Sequence, residues 1–555
     1  MNMSRTIRAP LGDEHFQVIV IGGGINGVAI ARECARAGRR TLLVEQQDFA
    51  SGTTSRSTRI IHGGLRYLEH GELGLVRESL RERKRLLQQY PHLVNPLQFL
   101  LALDHKSSRS ALSIRTGLWL YRRMGGKSLA VSPGADKHKL ERVLDSGRHW
   151  SVFNFEDAQC EFPERLVAEW LVEAIEAGAV VRNYMQVLAV DVRHGRAQGV
   201  LLRDQLSKKE VSVHGTWIIN ATGPWADRLC QRSRIDTKGP MVGGVRGSHI
   251  VLPRFSGAPD AAVYTEAIDG RPIFVIPWNE QVLVGTTEAA DSGDPAKTQP
   301  SPEEIEYLLN SLLNLFPRIK ISYGDIRYAF AGVRPLPFSP KKKASAVSRK
   351  HYLHDHASDG AAQMISVIGG KLTTAAQLAR ECVAKIGARA KTSFTAGGSA
   401  SVAASGLVSE DSLDPLLDRW VLDIAQAGSI SEESARGIVE WHGKRSLAVA
   451  RMALSSSDLR APLCPHTVHI VAEAVDGLAN ECAVTLADVL LRRVPVGLGP
   501  CWSPTCSREA AARVRAVMGW NDGQAAAELE AFETEREAFL RKPRRVEAAL
   551  LTAAD

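Results

Sequence analysis

The chain reads as α/β plus α+β: a βαβ nucleotide-binding core, a mainly antiparallel sheet, and a helical C-terminal domain. Three observations predict this. An apolar, β-branched run at 18–21 leads into Gly22-x-Gly24-x-x-Gly27 and, one helix later, into a second apolar run that ends at Glu45. Residues 240–355 hold short strand-like runs interrupted by one helical segment, Pro302–Leu315. Residues 410–540 follow a helical pattern almost throughout.

The N-terminal stretch, 1–16, is short and polar and is expected to be flexible; it has no apolar core of the kind a secretory signal carries. The run 18–21 suits a strand buried on both faces. Residues 28–37 form helix and stop at Gly38, and 41–44 form the next strand. In this unit the first glycine allows a tight turn. The second lets a pyrophosphate approach the backbone, and the third lets helix and strand pack closely. Phosphates sit at the positive end of such a helix, and Glu45 is placed to accept from a ribose hydroxyl. An ordinary crossover with a glycine turn is the alternative; strand, glycines, helix and acid in order favour an adenine dinucleotide without saying which.

Residues 51–70 are rich in Ser, Thr, Gly and Arg, and 72–90 form a charged amphipathic helix with Leu73, Val76, Leu80, Leu86 and Leu87 on one side. Helix is expected at 166–177 and strand at 187–192, 200–202 and 216–220, the last ending in Asn220-Ala221-Thr222-Gly223-Pro224-Trp225. Strands follow at 248–252, 273–277, 281–285 and 327–333. A strand at 365–368, a turn at Gly369-Gly370-Lys371 and a helix over 372–386 return to the core. The partition is therefore a two-part region over 17–395, a linker at 396–409 and the helical domain at 410–540. Within 17–395 the nucleotide core takes about 17–90, 150–230 and 360–395, and the substrate part takes 91–149 and 240–355.

The 555 residues, 44% hydrophobic and 23% charged, bound two to four domains with a sizeable core. No apolar run reaches the roughly 20 residues of a membrane span. The eight cysteines (34, 160, 230, 382, 464, 482, 501 and 506) lack Cys-x-x-Cys spacing. Cys501 and Cys506 have no neighbouring histidine pair, so reduced thiols without metal are expected. A net charge of +8 favours anionic partners. Arginine is dispersed rather than striped, which argues against nucleic acid. Lys341-Lys342-Lys343 reads as a solvated loop. The segment 114–123 mixes Leu118, Trp119, Leu120 and Tyr121 with Arg115, Arg122 and Arg123. It suits either a helix lying in a membrane interface or a core-packed helix with outward arginines.

Beyond the glycine block, several separated motifs stand out: Ile61-His62-Gly63-Gly64-Leu65-Arg66-Tyr67-Leu68, the Asn220–Trp225 run, Gly247-Ser248-His249-Ile250 and Phe274-Val275-Ile276-Pro277-Trp278. Gly285-Thr286-Thr287, Gly332-Val333-Arg334-Pro335-Leu336, Gly369-Gly370-Lys371-Leu372-Thr373-Thr374 and 485–493 complete the set. With these motifs the chain resembles the FAD-dependent, quinone-linked glycerol-3-phosphate dehydrogenases, from Val18 to about residue 520. It departs from them at Glu288, where the family has aspartate, and at Pro163-Glu164-Arg165-Leu166, where the family has Asp-Ala-Arg-Leu; both put substrate positioning in question.

The resemblance implies a Rossmann-like FAD-binding core, an antiparallel-sheet substrate domain, and oxidation of sn-glycerol 3-phosphate by hydride transfer to flavin. It implies electron delivery to a membrane quinone from a cytoplasmic protein held on an anionic inner membrane surface, with a homodimer as one arrangement. It implies a phosphate clamp of Arg334 and Arg349, with a turn arginine and a merely basic loop as the respective alternatives. His249 becomes the proton acceptor or hydroxyl orienter, since histidine titrates near neutrality; a hydrogen-bonded structural histidine is its alternative. Arg66, Tyr67 and Lys371 complete the reacting centre. His62 lies against the isoalloxazine, and Ser55, Ser57 and Thr58 donate to the pyrophosphate or ring. Gly22, Gly24, Asn26, Gly27, Glu45, Gly63, Thr222, Gly223, Gly370, Lys371 and Leu372 hold the cofactor, and no metal is expected. Rival readings are an α-glycerophosphate oxidase using oxygen and a related FAD-dependent amine or hydroxy-acid oxidoreductase.

Overall fold

The glycine-turn strand, His15–Ile21, lies at the centre of a parallel sheet, and that position follows from its composition. Val18 and Val20 face one hydrophobic cluster and Ile19 and Ile21 face another, so both sides are covered. The computed structural model describes residues 11, 14–69, 71–105, 107, 109–125, 135–340, 347, 349–390 and 413–540. The linker 396–409, the Lys341–343 run and residues 1–10 lie outside these. Residues 15 and 16 belong to the first strand, so the stretch expected to be flexible does not extend through residue 16.

The sheet order is Tyr352–Asp355, Met364–Ile368, Glu210–Asn220, His15–Ile21, Thr41–Val44, Val180–Arg182. All neighbours are parallel except the first pair. The strands Met185–Arg193 and Arg196–Asp204 extend the first half of Glu210–Asn220 as an antiparallel meander. Three helices cover one face. Ile25–Arg36 contributes Val28 and Ile30, Pro163–Glu176 contributes Leu166, Trp170 and Leu171, and Ala375–Ala390 contributes Leu378, Cys382 and Ile386.

The second sheet runs Ala289–Ala290, Val242–Pro253, Gln281–Gly285, Pro272–Trp278, Ala262–Glu266, Asn95–Asp104, Trp150–Gln159, Ile60–Ile61. Tyr328–Pro337 pairs with the other edge of Val242–Pro253. One pair, Ala262–Glu266 with Asn95–Asp104, is parallel, so the sheet is mixed rather than purely antiparallel. The expected partition needs three corrections. Ile60–Ile61 and Trp150–Gln159 belong to this second sheet, because they pair with each other and with Asn95–Asp104. Tyr352–Asp355 belongs to the first, because it pairs with Met364–Ile368.

After residue 413 the chain is helical, from Leu413–Gly428 to Asp522–Phe539. Val421, Ile424, Ile438 and Val449 make a cluster of their own. Leu486, Leu490, Leu498 and Phe532 instead join Phe99, Trp278, Tyr328 and Phe330 of the second sheet in one core. Buried ion pairs fasten the helical region to the nucleotide core as well. Arg493 is bidentate on Asp48, both contacts at 2.8 Å, and Arg165 bridges to Glu481 at 2.6 Å and 2.9 Å. The Pro163-Glu164 departure thus lies in scaffolding. Glu164 pairs with Arg59 at 3.0 Å, and both side chains are fully buried. Among the described residues no helix is long and apolar enough to cross a membrane.

Candidate active site

The two sheets enclose a cavity of ≈ 820 Å³ that runs from the glycine turn to the strands carrying His249 and Arg334. At the nucleotide end, Gly22 adopts φ +108°, and a Cβ on Gly27 would sit 1.8 Å from the Gly22 carbonyl oxygen. Only glycine fits either position, as a close helix-to-strand contact requires. Beside Gly24 a Cβ would meet only Thr54 Oγ1, at 3.4 Å, which leaves that backbone open to a phosphate. Glu45 Oε2 accepts from the Gly23 amide at 2.6 Å and Oε1 from the Gln47 amide at 2.9 Å. The carboxylate lines the cavity and keeps further lone pairs for a hydroxyl.

Asn26 Nδ2 donates to the Gly369 carbonyl at 3.4 Å, while its buried Oδ1 has no protein partner among the described residues. An unpaired buried acceptor in a cradle of glycines fits a bound dinucleotide that supplies the missing donor. Thr222, Gly223, Ser57, Thr58, His62, Gly370, Lys371 and Leu372 line the same cavity. The expectation fails at Ser55, which is turned away: its hydroxyl donates to the Ala50 carbonyl at 2.6 Å and braces the loop. Thr54 takes the forward position, accepting from the Ile25 amide at 3.1 Å. Gly63 also lies behind the lining; its amide donates to Asp157 Oδ1 at 3.2 Å.

At the far end, register places the polar groups. His249 stands in a central strand between Gly285 on one neighbour and Phe330 on the other. Its ring stacks on Phe330 at 5.0 Å, and a Cβ on Gly285 would reach within 2.2 Å of it, so the glycine leaves the ring its room. His249 Nε2 and Thr58 Oγ1 are 3.0 Å apart, and the buried Nδ1 has no partner among the described residues. Burial first, then the charges of Arg334 and Arg59, lower His249 to about 3. This corrects the expectation of a ring that titrates near neutrality.

Arg334 crosses over Gly247 and donates from Nη2 to Thr286 Oγ1 at 2.8 Å. Arg349 donates to Glu288 Oε1 at 2.7 Å, so the residue that departs from the family holds the second arginine. Lys371 Nζ donates to Ser79 Oγ at 2.8 Å and lies 4.5 Å over the Tyr67 ring. Burial, opposed by Glu78 and reinforced by Arg349, lowers it to about 7. The same burial, with Lys371, Arg349 and Arg83, brings His62 to about 3. Arg66 opens the short helix Arg66–Glu69; its side chain lies outside the described residues.

Several groups here carry no local sequence signal. Asp157 accepts from Arg83 at 2.7 Å and from Tyr121 at 2.8 Å while holding the Gly63 amide. Ser79 sits on the helix Leu73–Gln89, and Arg271 enters the lining from the sheet. Thr286 belongs to the Gly285-Thr286-Thr287 motif, but only the fold shows that it receives Arg334.

With this geometry in hand, comparison with known proteins is informative. A family model described as FAD dependent oxidoreductase matches residues 17–376, and one described as the C-terminal domain of alpha-glycerophosphate oxidase matches 365–525. A glycerol-3-phosphate dehydrogenase of Synechocystis sp. is 36% identical over 499 residues, spanning 87% of this chain and 89% of that protein. An aerobic glycerol-3-phosphate dehydrogenase of Bacillus subtilis is 31% identical over 493 residues, 86% of each. The X-ray structure of glycerol-3-phosphate dehydrogenase from Bacillus halodurans complexed with FAD has the same fold. Its TM-score is 0.76 at 22% identity, over 99% of this chain and 100% of that one.

Proposed function

This chain belongs to the FAD-dependent oxidoreductases, and among them to the glycerol-3-phosphate dehydrogenases; from that premise we propose that it oxidises sn-glycerol 3-phosphate to dihydroxyacetone phosphate and passes the electrons to a membrane quinone. The observation that carries this reading is the meeting of Arg334, Arg349, Lys371 and neutral His249 in one cavity with the dinucleotide cradle. Bound FAD supplies the hydride acceptor.

The residues divide the remaining work. Arg334 receives the phosphate dianion, because a guanidinium fork matches its oxygens and Thr286 already fixes the side chain. Arg349 is the second cation of the clamp, oriented by Glu288. Lys371, half-deprotonated near pH 7, accepts the proton of the C2 hydroxyl, with Ser79 and Tyr67 holding the amine in place. His249 is a neutral imidazole at working pH and orients that hydroxyl by hydrogen bonding. Tyr67 and the buried aromatic walls exclude water from the reacting carbon.

The helix Ala111–Gly125 supports a peripheral membrane position. Ile114, Leu118 and Tyr121 turn into the core, while Leu112 and Trp119 stand 74% and 64% exposed, flanked by Arg115, Arg122 and Arg123. The two expectations for this segment therefore apply to its two faces, and Leu118 belongs to the inner one.

Anaerobic mixing of the yellow holoprotein with glycerol 3-phosphate tests the central claim. The flavin absorbance is expected to bleach and to recover on addition of a quinone. An unchanged spectrum would rule the reaction out, and recovery with oxygen as fast as with quinone would assign the acceptor to oxygen.

A further inference from the structure

Four soft donors from two distant segments converge on the flank of the helical region. Cys464 and His466 lie in the loop after Ser457–Arg460; Cys501 precedes, and Cys506 begins, the helix Pro504–Met518. One ligand atom from each lies within 4.8 Å of every other. Cys506 Sγ and His466 Nδ1 are 3.6 Å apart. Tetrahedral zinc, with bonds of about 2.3 Å to sulfur and about 2.05 Å to nitrogen, sets that edge at about 3.6 Å. We propose that Cys464, His466, Cys501 and Cys506 form a structural zinc site.

The donor set selects the metal. Three thiolates and an imidazole in a tetrahedral cluster suit zinc, whereas magnesium and calcium take oxygen. All eight cysteines are free thiols, and in this cluster their hydrogen-bond contacts with protein are long: 3.9 Å from Cys501 Sγ to the His466 carbonyl and 3.6 Å from Cys506 Sγ to the Cys501 carbonyl. Ser503 caps the helix and its hydroxyl reaches Cys506 Sγ at 3.4 Å, a donor suited to a metal-bound thiolate. Cys464 and Cys506 are buried while Cys501 and His466 reach the surface, which gives the ion an entry path. The other two groups of potential ligands differ. His442, Asp476 and Glu481 already engage Arg165 and Arg445, and His354, His356 and Asp359 bond to one another and to Ser366.

The site has a mechanical consequence. The segment between its two halves docks on the substrate sheet: the Leu498 carbonyl accepts from Asn279 at 3.0 Å, Gln281 at 3.1 Å and Tyr328 at 3.0 Å, and Arg327 reaches the Pro500 carbonyl. Zinc at Cys501 and Cys506 clamps this segment to the 464–466 loop and so fastens the helical region to the sheet behind His249. Binding releases the thiol protons, so affinity rises with pH.

The test uses untagged full-length holoprotein purified without added metal. Elemental analysis is expected to find about one zinc per chain, and exchange with cobalt alone should give the visible bands of tetrahedral cobalt–thiolate. Cys506→Ser should lower zinc retention against a chelator at least tenfold. Cys501→Ser, a change at an exposed position, should do the same while the flavin spectrum shows that the chain has folded. The proposal is overturned if the reduced protein contains no zinc and takes up neither zinc nor cobalt. It is also overturned if Cys501→Ser and Cys506→Ser keep zinc as the parent does, or if the isolated protein has lost two hydrogens to a disulfide within the cluster.

Discussion

Arg334 and Lys371 handle charge in different ways, and each difference is measurable. Arg334 is a permanent cation fixed by Thr286, so in the proposed clamp it would hold the dianion before and during reaction. Arg334→Ala should keep FAD bound and lower kcat/KM for glycerol 3-phosphate by about 10- to 200-fold, the worth of a hydrogen bond to a charged group at roughly 1.5–3 kcal/mol. Loss of FAD from that variant would show that Arg334 belongs to the cofactor. Lys371 is instead a depressed amine with a value of about 7. Its neutral form gains population as pH rises through 7, so kcat/KM should rise across that window, in which the free enzyme titrates. The bound dianion favours the ammonium form, so the inflection in kcat should lie at higher pH. Lys371→Arg should abolish the free-enzyme inflection, and a profile identical to that of the parent would return the proton to another acceptor. Both residues line the cavity, and the sequence named them through the family resemblance that the motifs around them carry. Their pairings were not legible: Ser79 and Lys371 are 292 positions apart and Thr286 and Arg334 are 48 apart, so only the fold brings them together. Ser55 was misread for the complementary reason, since a hydroxyl in a glycine-rich loop can bond its own backbone as readily as a ligand.

Between elements, the buried pairing of Arg59 with Glu164 links the cofactor loop to the helix Pro163–Glu176. Arg59 reaches Glu164 through both terminal nitrogens, at 3.0 Å and 3.1 Å, and also donates to the carbonyls of Ser55 and Glu161. Its guanidinium lies 4.6 Å over the Trp278 ring, so a loop, a helix and a strand share one cation. Removing the acid leaves that cation buried and unpaired. Glu164→Ala should therefore cost about 3–5 kcal/mol of unfolding free energy in denaturant titration. Glu164→Gln, which keeps two polar atoms, should lose less. A loss below about 1 kcal/mol in Glu164→Ala would mean that backbone carbonyls alone satisfy Arg59. The helix itself was legible from its apolar spacing, and Pro302–Leu315 was legible to the residue because proline at its first turn and a Ser301/Glu304 capping box mark the start. Asn95–Asp104 and Trp150–Gln159 were not read as strands. An apolar run such as 99–103 looks the same in a buried helix, and the ten-residue ladder that decides the matter joins segments separated by two intervening helices.

For the whole molecule, the proposed transfer to quinone requires a chain without a spanning helix among its described residues to reach a partner that lives in lipid. The outer face of Ala111–Gly125 is suited to this. Leu112 and Trp119 are seven positions apart, two turns, and therefore share a side, and the arginines beside them add positive charge to a chain whose net charge is +8. The inner face is already spent on the core: Tyr121 bonds Asp157 at 2.8 Å, and Asp157 holds the loop amide of Gly63. A membrane seated against this helix would thus lie one side-chain layer from the loop that follows His62. Two forces contribute, apolar insertion at roughly 1.5–3 kcal/mol for a fully buried large side chain and attraction to anionic headgroups at about 1 kcal/mol per nearby arginine. The double variant Leu112→Ser/Trp119→Ser should weaken sedimentation with anionic vesicles at least tenfold. Turnover with a soluble electron acceptor should stay at the parental level, since neither side chain lines the cavity. Raising the salt should weaken binding further, through screening of Arg115 and Arg123. Replacing Leu118, by contrast, should destabilise the fold before it touches vesicle binding, because that side chain is 4% exposed. Unchanged sedimentation of the double variant, with the flavin spectrum intact, would remove this helix as the docking face and leave the membrane contact to another part of the surface.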